Sequence, residues 1–159
     1  AEERRKRELP DEDTERKMYQ FTKDILKDYG YHRYEISNYA KDGYECQHNL
    51  GYWNRTEYLG IGTSAASLID NHRWVEGGEV EALTVENQIE ETMFLGLRKM
   101  EGVSKEDFRN TFGKQIERIY PRVLGELYQK GLLEDTGTHI RLTERGIDVS
   151  NYVMSEFLF

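Results

Sequence analysis

The residue types best suited to ligand chemistry lie close together at 48–53, in the run His-Asn-Leu-Gly-Tyr-Trp. If this run is helical, His48 and Tyr52 lie four residues apart on one face. A neutral imidazole nitrogen can bind haem iron axially, and the flat rings of Tyr52 and Trp53 can pack against the macrocycle. The competing interpretation is that His48 and Asn49 make local hydrogen bonds while Tyr52 and Trp53 fill the core. Composition alone favours this second interpretation.

A glycine-spaced run follows and forms a second candidate site. Residues 60–65, Gly-Ile-Gly-Thr-Ser-Ala, match the G-x-G-x-x-A spacing of dinucleotide-binding loops. That fingerprint needs a helix of some length directly after it. The turn-forming pairs at 70–71 and 77–78 cut the segment short, so we reject dinucleotide binding. Two interpretations stay open. The missing side chains let a ligand approach the backbone of a strand, or they let the segment pack closely against a helix.

Charge and composition restrict the partners. The 159 residues include 22 basic and 30 acidic side chains, which gives a net charge of −8. This balance disfavours non-specific binding to nucleic acid or to an anionic membrane surface. Five basic residues of the second half could face DNA, but acidic residues are interspersed among them, so a solvated face of mixed charge is the better interpretation. The five are Lys114, Arg118, Arg122, Arg141 and Arg145.

Cysteine content and hydropathy indicate the compartment. The only cysteine, Cys46, cannot form an internal disulfide, which fits a reducing compartment. One cysteine cannot build a zinc or iron–sulfur site, because such sites need several spaced ligands, and we expect a surface thiol. No apolar run is long enough to cross a bilayer, and the first residues do not resemble a signal peptide. The sequence therefore predicts a soluble, cytoplasmic chain with no strong membrane signal.

The first half has the pattern of the end of a β/α domain, because a helix, a glycine and a strand follow one another. Residues 1–9 are a charge run that we expect to be disordered. The predicted elements are a helix over 12–29 ended by Gly30, a strand over 31–37, helical turns at 48–56, an apolar strand over 58–69 buried on both faces, and a turn-rich connection over 72–80 with its tip at Gly77 and Gly78.

The second half has the pattern of a small helical domain, and we place the boundary near 80–83. Its order of elements predicts a winged-helix-like module. The predicted elements are a helix over 85–100 capped by Thr84 with Val85 on its buried face, a helix over 105–111 capped by Ser104 and ended by Gly113, a helix over 114–130 in which Pro121 is either a kink or the first turn, a β-hairpin over 132–142, and a last helix over 144–157 opened by Thr143.

Three stretches together resemble a known family: TERKMYQFTKDILKDYGYHRYEISNYAKDGYECQHNLGYW, YLGIGTSAAS and IRLTERGIDVSNYVMSEFL. They are similar to the C-terminal portion of the oxygen-independent coproporphyrinogen III oxidase-like radical SAM proteins. The HNxxYW pattern resembles the haem chaperone branch more than the true oxidases. The resemblance covers nearly all of residues 10–159. It implies an α/β fold in which 10–83 are the last β/α elements of an incomplete radical SAM barrel, followed by a winged-helix-like, mainly α domain over 84–159.

The resemblance also implies site residues. The HNxxYW pattern carries over as His48, Asn49, Tyr52 and Trp53, with His48 as the ligand of haem iron. The stretch YLGIGTSAA carries over as the barrel edge near S-adenosylmethionine, with Ala66 nearest to the cofactor. The residues implied there are Gly60, Gly62, Ser64 and Ala66. The family's CxxxCxxC motif for a [4Fe–4S] cluster and its glycine-rich S-adenosylmethionine loop are absent from this sequence. No catalytic residue is therefore assigned, and we expect the chain alone to be inactive.

The function that the resemblance implies is a haem chaperone, which binds haem and hands it to an acceptor protein. Its cofactors are then haem, together with S-adenosylmethionine and [4Fe–4S] in the full-length protein. The alternative is an oxidoreductase that decarboxylates coproporphyrinogen III oxidatively through a 5′-deoxyadenosyl radical. A DNA-binding winged-helix module is a third possibility, and the net charge of −8 makes it the least favoured.

Overall fold

The structure is a computed structural model that describes residues 10–159, so the disorder predicted for residues 1–9 lies outside the described residues. Helices and short strands are interspersed along the chain. In order they are α1 Glu12–Asp28, β1 His32–Arg33, β2 Tyr39–Ala40, α2 Gln47–Trp53, β3 Ala66–Ile69, β4 His72–Val75, β5 Glu81–Ala82, α3 Val85–Gly96, β6 Val103–Ser104, α4 Lys105–Phe112, α5 Ile116–Ile119, α6 Pro121–Gln129, β7 Leu133–Asp135, β8 His139–Leu142, α7 Glu144–Asp148 and α8 Ser150–Ser155.

The strands form three small sheets. β1 pairs with β2, the strands β3, β4 and β5 form a meander, and the third sheet has the order β6-β8-β7. Every pairing between these strands is antiparallel, and no barrel closes within residues 10–159. The predicted α/β class is confirmed in the form of helices mixed with small sheets.

Helix α1 begins and ends where its sequence signals indicate. The Asp11 carboxylate accepts a hydrogen bond from the Thr14 N–H at 2.8 Å. Gly30 takes a left-handed φ of 79° just past the other end, as a C-terminal glycine does. The apolar stripe of Met18, Phe21 and Ile25 nevertheless lies at the surface of the described part of the chain, since no residue of α1 is buried.

The strand predicted over 31–37 is wrong beyond its first residues. β1 pairs antiparallel with β2, because the chain turns back between them, and Glu35 makes an isolated antiparallel bridge to Lys99. The Glu35 carboxylate closes this turn by accepting hydrogen bonds from the Ser37 N–H at 3.0 Å and from the Asn38 side-chain amide at 2.6 Å. Such local side-chain bonds offer the chain an alternative to a sheet ladder.

The buried strand predicted over 58–69 is also wrong, because this segment is a hairpin. Tyr58 and Leu68 exchange backbone hydrogen bonds at 2.9 Å, so the chain reverses direction between them. Its tip lies in solvent, and Ile61 is 90% exposed. Ser64 has a positive φ of 63°, a conformation that side chains other than glycine seldom adopt and that a sequence pattern does not reveal.

The connection predicted over 72–80 contains a strand that the sequence analysis missed. β4 pairs with β3 along its whole length, with Ser67 opposite Trp74. The chain then turns at Gly77, whose φ is 79°, before β5 pairs with β4. The glycine tip was predicted correctly, but the segment that leads to it is an extended strand.

Capping signals place the first helices of the second half. The Thr84 hydroxyl takes part in a capping box at α3, and the Ser104 hydroxyl accepts a hydrogen bond from the Asp107 N–H at 3.1 Å at α4. Both predicted caps are confirmed. Helix α3 ends at Gly96 rather than at residue 100, and Val85 lies on its exposed face, not on the buried one.

The helix predicted over 114–130 is two helices. α5 ends before Tyr120, and Pro121 is the first residue of α6. At this position proline costs no hydrogen bond, because the N–H of a first helical residue has no partner within the helix. The first-turn interpretation of Pro121 is therefore correct. The last helix, predicted over 144–157, likewise divides into α7 and α8 at Val149, whose φ of −122° and ψ of 31° are not helical.

The main hydrophobic core of the described residues lies in the second half. Phe108, Phe157, Met93 and Leu97 are among its largest fully buried side chains. The predicted hairpin over 132–142 is confirmed as β7 and β8, which supply further core residues. The winged-helix assignment of this half stays a prediction.

Candidate functional site

The predicted helical turns around residue 48 are confirmed as helix α2. Cys46 is its N-cap residue, with an extended backbone and no side-chain capping bond. At the other end the Thr56 N–H donates to the Gly51 carbonyl at 2.8 Å and closes the last turn. The helix is seven residues long, which places residues 48 and 52 on one face and residues 49 and 53 on another.

The face of α2 that carries His48 presents a row of three aromatic rings. The His48 and Tyr52 ring centroids lie 4.8 Å apart with the planes at 86°, and Tyr52 meets Tyr58 at 4.7 Å and 67°. Such edge-to-face arrangements are favourable for aromatic pairs. The rings border a shallow hollow of about 160 Å³. Tyr58, which comes from the following hairpin, was not predicted as a site residue.

His48 differs from the other three histidines in the bonding of its ring. His72 Nδ1 lies 2.8 Å from the Asp70 carbonyl oxygen, and His139 Nδ1 lies 3.0 Å from the Thr138 hydroxyl. Both ring nitrogens of His32 lie within 3.1 Å of a carboxylate oxygen. Within residues 10–159 neither ring nitrogen of His48 makes a hydrogen bond or an ion pair, and the side chain is exposed. This imidazole is therefore free to bind a ligand.

The other two residues of the predicted motif face elsewhere. The Arg98 guanidinium lies over the Trp53 ring at 4.4 Å from its centroid, and Trp53 Nε1 is buried without a hydrogen-bond partner in the described part of the chain. Asn49 is half-buried. The structure thus brings His48 together with Tyr52 but separates both from Trp53, which joins α2 to the second half.

The sequence analysis missed an ion pair between the buried Glu35 and the partly buried Arg98. Glu35 is fully buried, and one of its carboxylate oxygens lies 3.7 Å from Arg98 Nη2. The backbone reinforces this connection, since the Ile36 N–H donates to the Arg98 carbonyl at 3.0 Å. The available signal was a glutamate within the otherwise apolar stretch Tyr-Glu-Ile.

A second buried ion pair fixes α2 against helix α3. Arg55 Nε donates to the Glu91 carboxylate at 2.9 Å, and both side chains are about nine-tenths buried. The Arg73 guanidinium pairs with the other oxygen of the same carboxylate. One glutamate of α3 therefore holds the segment after α2 and strand β4 together.

The residues implied near S-adenosylmethionine lie along the hairpin at 58–69. A Cβ on Gly60 would meet the Ala66 carbonyl oxygen at 2.3 Å, so glycine is needed there for close packing against the returning strand rather than against a helix. Gly62 lies in open space with a φ of 110°, beside Ser64 at the tip. Binding of S-adenosylmethionine at these residues stays a prediction.

The cysteine content limits the chemistry. Cys46 is exposed, as expected, and the single cysteine of the sequence does not fit a [4Fe–4S] cluster, which requires several thiolates. These residues therefore do not support radical chemistry by themselves.

Within residues 10–159 no helix combines the length and apolar character that crossing a membrane requires.

Comparison with known proteins first identifies the class. Residues 83–149 match the family model described as the HemN C-terminal domain. The solved structure of coproporphyrinogen III oxidase (HemN) from Escherichia coli, a radical SAM enzyme, superposes with a TM-score of 0.73 over 96% of this chain and 43% of that one. At 17% identity this likeness concerns the fold alone.

Curated relatives then narrow the family. The heme chaperone HemW of Bacillus subtilis is 38% identical over 94% of this chain, and HemW of Lactococcus lactis is equally similar over the same share. The chain spans 44% of the length of each of these two relatives. It belongs to the HemN- and HemW-like radical SAM proteins and corresponds to their C-terminal part, as the sequence resemblance implied.

Proposed function

We propose that this chain provides the haem-binding surface of a haem chaperone and that His48 is the ligand of the haem iron. The observation that carries the proposal is the exposed His48 imidazole, whose ring nitrogens are unengaged among residues 10–159 and which stands edge-on to Tyr52. The relatives from Bacillus subtilis and Lactococcus lactis are named heme chaperones, which supports this function over other roles of the fold.

The residues present fit an axial haem ligand better than an enclosed haem pocket. Imidazole is a common ligand of haem iron, and the neighbouring Tyr52 and Tyr58 rings offer flat apolar surface. The hollow of about 160 Å³ is smaller than pockets that enclose organic ligands, which measure about 300–1,000 Å³. Haem bound here stays accessible from solvent, which suits a protein that passes its ligand on. When bound, haem supplies the iron, and His48 supplies the nitrogen that holds it.

The finer parts of the proposal concern the complete protein. In the complete protein we place S-adenosylmethionine near the hairpin residues Gly60, Gly62, Ser64 and Ala66. We place the [4Fe–4S] cluster on cysteines other than Cys46, because the given sequence holds one cysteine and a cluster needs several. A haem-acceptor protein is the proposed partner and the cytoplasm the proposed compartment. The alternative, decarboxylation of coproporphyrinogen III, rests on a structural likeness at 17% identity, and no contact described above favours it.

Haem titration of the chain tests the assignment of His48. Hemin is added to the wild type and to His48→Ala while the Soret band and the dissociation constant are recorded. We expect His48→Ala to shift the band and to weaken binding by at least roughly tenfold, as loss of an interaction worth about 1.4 kcal/mol does. Melting should change little, because the His48 side chain is exposed.

Two matched variants make the result specific. His72→Ala removes another exposed histidine, which lies in β4 away from α2, and it should leave both spectrum and affinity unchanged. Cys46→Ala removes the cysteine thiol close to His48 in the chain. We include this variant because thiolate is another common protein ligand of haem iron. An unchanged spectrum and affinity in His48→Ala, or a larger effect in Cys46→Ala, contradicts the proposal.

A further inference from the structure

A cavity that shares no lining residue with the hollow beside α2 collects positive charge. It has a volume of about 550 Å³ and lies between the end of α1, β1, β8 and α7. Its lining contains four permanent cations and two carboxylates, although the whole chain carries a net charge of −8. The charged residues are Lys23, Lys27, Arg33, Arg141, Glu134 and Glu144.

Arg33 is the most unusual of these residues. Its side chain is only 9% exposed, and guanidinium carries five N–H donors. Among the described residues it makes one hydrogen bond, from Nη2 to the Glu144 carboxylate at 3.1 Å, while its Nε is buried without a partner. A buried donor without a partner costs about 1–3 kcal/mol, so this guanidinium has unused capacity for an anion.

Glu144 shows what kind of group the cavity takes. Its carboxylate accepts a hydrogen bond from Lys23 Nζ at 2.6 Å and one from Arg33. The Lys23 hydrogen bond, together with the charges of Lys23 and Arg33, lowers the pKa of Glu144 below its ordinary value although burial opposes this. The Glu144 side chain is 68% exposed, so its own charge stays in water when it turns away, and an anion in the cavity can then take its place on the buried Arg33.

Arg141 does not compete for the same group. Its Nε donates to Glu134 at 2.6 Å, so these two lining charges already neutralise one another. The lining also includes the aromatic Tyr31 and Tyr39 and the aliphatic Leu142. The cavity therefore combines two cations that share one exposed carboxylate with apolar lining residues.

We propose that this cavity binds a small organic anion, whose carboxylate or phosphate group replaces the Glu144 carboxylate on Arg33 and Lys23. Planar guanidinium matches both groups through two parallel hydrogen bonds. The body of the ligand lies against Tyr31 and Tyr39. None of these residues belongs to the aromatic row on α2, so this site is independent of the proposed haem function.

Nuclear magnetic resonance of the isotope-labelled chain tests the site at constant ionic strength. Inorganic phosphate and benzoate are titrated separately, and the Arg33 Nε–H signal and the backbone amides of Lys23 and Glu144 are followed. We expect saturable shifts at these signals with both probes and tighter binding of benzoate, because its ring contacts the apolar lining residues. Equal affinity for the two probes overturns the organic part of the proposal.

Charge variants assign the binding to named residues. Arg33→Gln should weaken binding at least roughly tenfold, as loss of a hydrogen bond to a charged group does. Lys23→Gln, at a partly exposed position where we expect little effect on folding, should weaken it as well. Glu144→Gln should strengthen binding roughly two- to fivefold. The substitution removes the carboxylate that competes with the ligand for Arg33 and Lys23, and that carboxylate binds them about as strongly as an exposed ion pair does.

The control is Arg122→Gln, an exposed arginine paired with Glu126 on α6, which should bind both probes as the wild type does. Well-dispersed spectra establish that each variant is folded. Absence of saturable shifts in both the wild type and Glu144→Gln overturns the proposal. So does an affinity that Lys23→Gln leaves unchanged.

Discussion

The two halves of this chain are stabilised in different ways. Among residues 10–159, twenty apolar side chains are buried, and only Tyr34, Ala40, Leu68 and Leu83 precede residue 84. The second half surrounds a core of its own, whereas the first half is attached to it mainly through charged pairs and through backbone hydrogen bonds at residues 34–36. The attachments are Arg55 and Arg73 to Glu91, Glu35 to Arg98, and Lys23 and Arg33 to Glu144. The candidate haem ligand thus lies in the half with the smaller core.

The largest expected effect comes from separating the halves. We expect residues 84–159 alone to fold, because their core side chains pack mainly on one another. We expect residues 10–83 alone to remain unfolded, since four buried apolar side chains cannot offset the conformational entropy of that many residues. Proton–nitrogen spectra of the two fragments provide the measurement. Poor dispersion for 84–159, or good dispersion for 10–83, removes the contrast between the halves.

A core substitution gives the next largest effect. Phe108→Ala empties a buried position on α4 and should lower the free energy of unfolding by about 3–5 kcal/mol, the range for deleting a buried ring. Urea unfolding followed by circular dichroism measures it. The matched control is Ile61→Ala at the exposed hairpin tip, which should change the stability by less than about 0.5 kcal/mol. Similar losses for both variants contradict the location of the core.

Glu91 tests the attachment between the halves. Glu91→Gln leaves the buried Arg55 and the half-buried Arg73 without their shared carboxylate, and we expect a loss of about 3 kcal/mol, the lower end for breaking a buried pair. The loss should be local. Hydrogen exchange should accelerate at residues 55–75 more than in the core of the second half.

The control for this experiment is Glu126→Gln, which breaks the exposed pair with Arg122 and should cost less than about 0.5 kcal/mol. Uniform acceleration of exchange in Glu91→Gln along the whole chain shows that the two halves unfold as one unit.

The smallest expected effect is a pH dependence within the second half. Hydrogen bonds from Lys105 lower the pKa of Glu117 and of Asp135 below their ordinary values of 4.5 and 3.8. The two carboxylates therefore stabilise the folded state fully at pH values above their ordinary pKa values. This stabilisation is lost as the pH falls through their lowered pKa values. Because both carboxylates are more than a third exposed, it should amount to less than about 1 kcal/mol.

Lys105→Met should remove this contribution. The difference in unfolding free energy between the wild type and Lys105→Met should shrink as pH falls from 6 to 3. Lys114→Met, at an exposed lysine nearby, is the matched control and should show a difference that does not depend on pH. The same pH dependence in both variants contradicts the assignment to Lys105.

Local chemistry made much of the second half predictable. Thr84 and Ser104 cap helices through their own hydroxyls, and Gly113 ends α4 in a left-handed conformation, so each signal acts within one turn of the chain. The same reasoning failed at residues 58–69, since an apolar run can be one buried strand or a hairpin with its tip in water. The reversal there includes positive φ values at Gly62 and Ser64, and residue types alone do not distinguish such a tip from an extended strand.

The sequence by itself determined the caps that begin several helices, the family resemblance and the choice of His48 as the candidate ligand, because all three depend on residue type and short spacing. Only the tertiary structure decided which groups surround that ligand. It put Tyr58 beside Tyr52, turned Trp53 towards Arg98, and joined Arg55 to Glu91 across 36 positions. Charges so far apart in sequence meet only after the chain has folded, and burial then makes their pairing obligatory.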